Sequence, residues 1–166
     1  MSHSNVKIEG FSRVRIRNQD GTIAGDSGWT GPNQITNLGV AHFLCANLGK
    51  TTNSKQVGYA SLGEGSAPAA ANTVLLSECS GTGTVPIRKA VSAASSGSTT
   101  EEFTVTFGSS DSFVTATESI SNIGLWAVTY HSDTVGTLFA GNAYTSSSCA
   151  SNQDVNATYQ IRFATS

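Results

Sequence analysis

Charge is what this sequence has least of. Only 12% of its 166 residues are Asp, Glu, Lys or Arg, about half the share of an ordinary globular domain. Lysine is confined to Lys7, Lys50, Lys55 and Lys89, and the net charge is −2. Such a balance supplies no field to steer the chain toward nucleic acid or anionic lipid. No apolar run approaches the length that crosses a membrane. The opening Met1-Ser2-His3-Ser4-Asn5-Val6-Lys7 lacks the apolar core of a signal peptide, so a chain made and retained in a cytoplasm is expected. Cysteine is scarce and odd in number: Cys45, Cys79 and Cys149, with no Cys-x-x-Cys. That pattern excludes a disulfide framework or a zinc site and predicts three buried or half-buried thiols. Cys79 and Cys149 would be the pair to bridge if any did, and Cys45 is expected reduced, on a helix face turned to the core. Proline occurs three times only.

Short hydroxyls take the place of charge. Serine and threonine together supply 44 residues, 24 and 20 respectively. Threonine suits half-exposed strand surface and serine suits turns. Both lose little side-chain entropy when another surface covers them, so the composition fits lasting packing contacts. The length predicts one domain over residues 1–166.

Strand periodicity dominates the chain. Val6, Ile8, Val14 and Ile16 alternate with polar residues, and Gln19-Asp20-Gly21-Thr22 predicts a hairpin within residues 5–29. The same alternation puts Arg13, Arg15 and Arg17 on one strand face, a solvated or interface face with a partner-binding patch as the alternative. Gly31-Pro32-Asn33 is expected to break the chain. Asn37 is expected to cap the one substantial helix, near residues 37–49, with Leu38, Ala41, Cys45 and Leu48 on its buried side and Phe43 and Leu44 broadening that apolar face. His42 reads as a packing histidine, and His3 and His131 are too distant from it for a metal site.

Further strands are expected at Val57–Leu62, Val85–Ser92, Glu101–Phe107, Ile120–Tyr130, Thr137–Thr145 and Thr158–Ala164. Residues 85–92 and 101–107 should form a hairpin around Ser95-Ser96-Gly97-Ser98. The strand at 120–130 is apolar on both faces, which predicts a central strand or one covered by a neighbouring subunit. The Ala67–Ala71 stretch, stiffened by Pro68, would either lie flat on a neighbouring subunit or form a surface loop. The sum is an all-β fold, a β-sandwich or jelly-roll-like domain with one short helix.

Catalytic signatures are missing. There is no Gly-x-Ser-x-Gly elbow, and Gly63-Glu64-Gly65 is too short for a phosphate-binding loop. Adjacent Glu101 and Glu102 point to opposite strand faces and cannot form an acid/base pair. Asn156-Ala157-Thr158 matches a glycosylation acceptor, and with no signal peptide expected the match is read as chance. No catalytic, cofactor-binding or metal-binding residue is assigned, and a non-enzymatic protein is expected.

Three strings occur in order: Trp29-Thr30-Gly31-Pro32-Asn33-Gln34-Ile35-Thr36-Asn37-Leu38-Gly39; Tyr59-Ala60-Ser61-Leu62-Gly63-Glu64-Gly65 with Ala67-Pro68-Ala69-Ala70 and Leu75-Leu76-Ser77-Glu78; and Ile120-Ser121-Asn122-Ile123-Gly124-Leu125. Leu138-Phe139-Ala140 and Tyr159-Gln160-Ile161-Arg162-Phe163 follow. Over residues 28–166 the chain resembles small β-sandwich virion structural proteins of tailed bacteriophages, of the capsid decoration or tail and fibre types. The resemblance implies a structural role in the virion, made in the host cytoplasm. The first expectation is a capsid decoration (cement) protein contacting the major capsid protein; the alternative is a tail or fibre component. It also favours a trimer as the homo-oligomer. Self-assembly is expected on separate grounds, because strands at 101–107, 120–130 and 137–145 carry no Lys, Arg or Pro to defend a sheet edge. A carbohydrate- or receptor-binding adhesion module is the other reading, with Trp29, Trp126, Tyr130 and Tyr144 as a sugar-stacking platform.

Overall fold

A computed structural model describes residues 6–49, 54–83, 86–127 and 136–165. The strands are β1 (Val6–Arg17), β2 (Ile23–Asp26), β3 (Thr30–Ile35), β4 (Tyr59–Gly63), β5 (Arg88–Ala90), β6 (Ser92–Ser95), β7 (Thr100–Phe107), β8 (Glu118–Ala127), β9 (Thr137–Cys149) and β10 (Asp154–Thr165). One helix, α1, spans residues 37–48. Expectations for Val85, Val128, Thr129, Tyr130, His3, His131 and Lys50 fall outside the described residues.

All the pairings are antiparallel and the fold is an all-β sandwich of two sheets. The first sheet runs β6-β7-β10-β1, with β2 and β3 sharing the far side of β1; the second runs β5-β4-β8-β9-β3. Strand β3 therefore belongs to both. Inward residues of the two sheets make one core: Val14 and Ile16 from β1, Phe103, Val105 and Phe107 from β7, and Ile120, Ile123 and Leu125 from β8. Period-two alternation puts them there in β1 and β7, and in β8 an irregularity between Ile120 and Asn122 resets the alternation. The hairpin at Asp20-Gly21 is present, with the Asp20 carboxylate accepting from the Thr22 N–H at 2.9 Å.

Gly31-Pro32-Asn33 does not break the chain but lies inside β3. Here β3 leaves β1 for β9: Thr30 and Asn33 pair with β1, Gln34 and Ile35 with β9, and a bulge separates the β1 contacts. Proline is tolerated at such a bulge because no ladder bond is asked of it. Gly31, at φ +148°, brings the backbones together; a Cβ there would sit 2.6 Å from the Gly10 carbonyl. The crossing is pinned by buried polar groups. The Asn142 amide donates to Ser12 Oγ at 2.9 Å and to the Thr30 carbonyl at 3.0 Å.

The helix is where predicted but rotated, so that Phe43 is buried as expected while Ala41, Cys45 and Leu48 are not. Its cap is Thr36, not Asn37; the Thr36 hydroxyl accepts from the Gly39 N–H at 2.9 Å and donates to the Leu138 carbonyl at 2.6 Å. This clamps Gly39 against β9, where a Cβ would stand 2.2 Å from the Phe139 carbonyl. Val40–Cys45 is then wound as a π-helix, wider than the α-helix assumed from the spacing. The buried positions become Gly39, Phe43 and Ala46, and Phe43 packs on Phe139 with centroids 4.8 Å apart. Ala41, Cys45 and Leu48 face outward. Cys45 is thus exposed rather than buried, and His42 is half-buried.

Residues 85–92 do not form one strand. Arg88–Ala90 (β5) pairs with β4 in the second sheet, whereas Ser92–Ser95 (β6) pairs with β7 in the first. The chain changes sheets at Val91, whose N–H donates to the Gly58 carbonyl. The undefended strands β7, β8 and β9 prove to be interior in the strand order, although β7 beyond Thr104 and β9 beyond Gly141 have a strand partner on one side only. The outer edges are the short β2, β5 and β6, and β5 carries Arg88 and Lys89, an ordinary way to blunt an edge. Strand β8 is central and covered on both faces, as its pattern suggests. Its outer cover is intramolecular: Leu75 packs with Trp126 and Leu138, and the Asn122 amide donates to the Ser66 and Leu76 carbonyls. Pro68 is buried in the same cover, while Ala67, Ala69 and Ala71 are exposed.

Candidate functional site

Two surfaces stand out, one apolar and one polar, on opposite faces of the first sheet. The apolar one arises because the first sheet outreaches the second. At the end where β1 begins and β10 finishes, the inward-facing Val6, Ile8, Ile161 and Phe163 have helix α1 over them in place of strands. Phe43, Leu44, Asn47 and Leu48 form that wall, leaving two adjoining hollows of about 410 and 440 Å³. Leu48 is 90% exposed, Val6 68% and Phe163 40%. Lys55 and Glu101 line the inner hollow, so its rim carries both charge signs. Asn47 holds the wall in place, its amide donating to the Phe43 carbonyl at 2.7 Å and to the Lys55 carbonyl at 2.9 Å.

The polar surface is a cleft of about 180 Å³ on the outward face, lined by Arg13, Arg15, Trp29, Glu102, Asn156 and Thr158. Register makes it: Arg13 lies beside Thr158, and Arg15 beside Asn156, across the β1–β10 pair. Glu102 comes from β7 on the far side of β10. Asp26 holds both arginines, accepting from Arg13 at 2.9 and 2.6 Å and lying 3.3 Å from Arg15 Nε. The Arg13 hydrogen bonds hold the Asp26 carboxyl well below the usual carboxylate range, with smaller help from the Gly28 N–H and the charge of Arg15. Glu101 and Glu102 do point to opposite faces, one to each surface.

Neither a known protein family, nor a curated protein, nor a solved structure matches this chain. What the two surfaces do follows from their chemistry. Among the described residues no group of three or more His, Cys, Asp and Glu could hold a metal ion, and no helix is long and apolar enough to cross a membrane.

The predicted aromatic platform is not assembled. Trp126 and Tyr144 are buried, Tyr130 lies outside the described residues, and Trp29 alone is exposed, at 46%. Trp126 serves the fold instead, its indole N–H donating to Ser61 Oγ at 2.8 Å. The arginine face is confirmed as an outward strand face, half-buried by its neighbours. Sequence reading misses Leu48, Val6 and Phe163 as surface, because all three obey the periodicity of core residues. It also misses Glu102, Asn156 and Thr158, whose convergence with Arg13 depends on strand register.

The three thiols are free. Burial, with the charge of Glu118 next, pushes the Cys79 thiol from 9.0 up to about 12. Burial and Glu118 push Cys149 from 9.0 up to about 11. Exposed Cys45 is expected to label with a thiol reagent in the native protein, while Cys79 and Cys149 label only on unfolding. A raised folded pKa means that stability is intact below pH 9 and is lost as pH rises through the folded values. Each thiol should remove up to about 1.4 kcal/mol per pH unit in that window. Denaturant titrations between pH 8 and about 12 check this, and a flat profile would contradict it.

Proposed function

We propose that this protein is a non-enzymatic structural component of a bacteriophage virion, a capsid decoration protein on the outer capsid surface. The observation that carries this reading is the apolar trough at the end of the sandwich. An isolated chain leaves Leu48, Val6 and Phe163 in water beside open hollows. Contiguous exposed apolar surface of this kind marks an interaction site. The occupant is a second copy of the chain. Leu48 projects as a knob beside the hollows that such a knob fills, and Lys55 and Glu101 give a rim complementary to itself. Closed symmetry satisfies such a surface without runaway growth, and the phage resemblance favours three copies. The Ser- and Thr-rich exterior supports lasting contact with the major capsid protein at low entropic cost.

The reading is tested on purified particles of the source phage by quantitative mass spectrometry. Copies in the hundreds per particle support capsid decoration, and a handful would move the protein to the tail or fibre. Absence from intact particles would end the virion assignment.

A further inference from the structure

The polar cleft does not take part in the trough and lies on the opposite face of the first sheet. Its groups are fixed and only half used. Glu102 accepts from the Gln160 amide through Oε2 at 2.7 Å, which leaves Oε1 without a side-chain partner among the described residues. Asn156 accepts the Thr106 hydroxyl through Oδ1 at 2.8 Å, which leaves its amide N–H groups to donate. No side-chain partner engages the Thr158 hydroxyl among the described residues. Asp26 sets the Arg13 and Arg15 guanidiniums side by side, with Arg15 Nε buried against its carboxylate at 3.3 Å. Glu102 stands two strand spacings across and two residues along from Arg13, about 12 Å between backbones. Trp29 adds a half-exposed indole.

The charges decide the ligand class. Arg13 and Arg15 are balanced by Asp26 and Glu102, so the cleft offers no net field to a phosphate or an acidic sugar. The strands beneath it are interior, so no backbone is free to pair with a peptide. What is left is an apolar flat surface beside opposed donors and acceptors at fixed separation. A pyranose ring has the complementary build: an apolar C–H face, with hydroxyls at its rim that each donate and accept. We propose that this cleft is a binding site for a neutral pyranose sugar, stacked on Trp29 and hydrogen-bonded by Glu102, Asn156, Thr158 and the arginines. On an exterior virion protein such a site would hold the particle to a glycan-coated surface. The site itself does not depend on the virion assignment or on what the trough docks.

Saturation-transfer NMR tests it, with the methyl glycosides of glucose, galactose, mannose and N-acetylglucosamine as probes. At least one is expected to show saturable transfer. Trp29→Ala should weaken that binding about tenfold, and Trp29→Phe should restore most of it. Glu102→Gln should weaken it by about tenfold or more, because a hydrogen bond to a charged acceptor is lost. Both side chains reach the surface, so circular dichroism should be unchanged in every variant. Glucuronate and a short single-stranded oligonucleotide serve as further arms. The proposal is overturned by no transfer to any of the four glycosides, by binding unchanged in Trp29→Ala and Glu102→Gln, or by a response to glucuronate or oligonucleotide alone.

Discussion

Arg88→Ala is expected to be the most damaging single change away from the main core, costing about 3–5 kcal/mol. Arg88 donates to both Glu78 oxygens, at 2.8 and 2.9 Å, and the two side chains are only 1% and 6% exposed. Its guanidinium also lies 3.5 Å above the centroid of the Trp126 ring. The pair joins edge strand β5 to the segment that covers the outer face of the second sheet. Removing the arginine leaves the Glu78 carboxylate, 6% exposed and beside Glu64 and Glu118, with no counter-charge, and that desolvated charge is the main cost. Replacing both partners with apolar residues, Arg88→Met with Glu78→Leu, should be far milder, because neither charge then remains buried. Urea unfolding of the single and double variants measures the difference. Against a total stability of about 5–15 kcal/mol for such a domain, the single change should shift the midpoint strongly. A loss below about 0.5 kcal/mol, the level of ordinary surface changes, would contradict this account.

The parts of the fold that alternate in sequence are the parts that sequence makes legible. Val14 and Ile16, Phe103 to Phe107, and Tyr159 and Ile161 read as inward rows, and they are inward rows. The apolar patterns on both faces of β8 mark a central strand because burial on two sides leaves no polar row. The helix is legible only in part. Its existence follows from composition and flanking glycine, but its rotation is set by Thr36 and Gly39 locking onto β9, about 100 residues away. The π-winding then undoes the α spacing that seemed to bury Cys45 and Leu48. Likewise, residues 85–92 read as one strand because nothing local at Val91 tells that Arg88–Ala90 joins one sheet and Ser92–Ser95 the other. Both surfaces share this origin. The trough exists because one sheet is longer than the other at that end, and the cleft because three strands align in a particular register. Neither fact is local.

Replacing Leu48 and Phe163 together with Asp is expected to abolish self-association while leaving the fold intact. Leu48 is almost fully exposed in the single chain and Phe163 partly so, so charge costs the isolated domain little at Leu48 and a modest loss of apolar contact at Phe163. In an assembled trough the same carboxylates would lie in a desolvated apolar contact without partners, which costs several kcal/mol per charge and is enough to dissociate an interface built on a few anchors. The unaltered interface should tolerate salt. Between about 0.1 and about 1 M the screening length falls from about 10 to about 3 Å, which weakens rim pairs such as Lys55 with Glu101 but not apolar packing. Sedimentation velocity at micromolar concentration, at both salt levels, is therefore the most direct test. The account predicts an oligomer at both, and a 17.1 kDa monomer with unchanged circular dichroism for Leu48→Asp/Phe163→Asp. A wild-type chain that sediments as a monomer, or a double variant that assembles as wild type does, would contradict it.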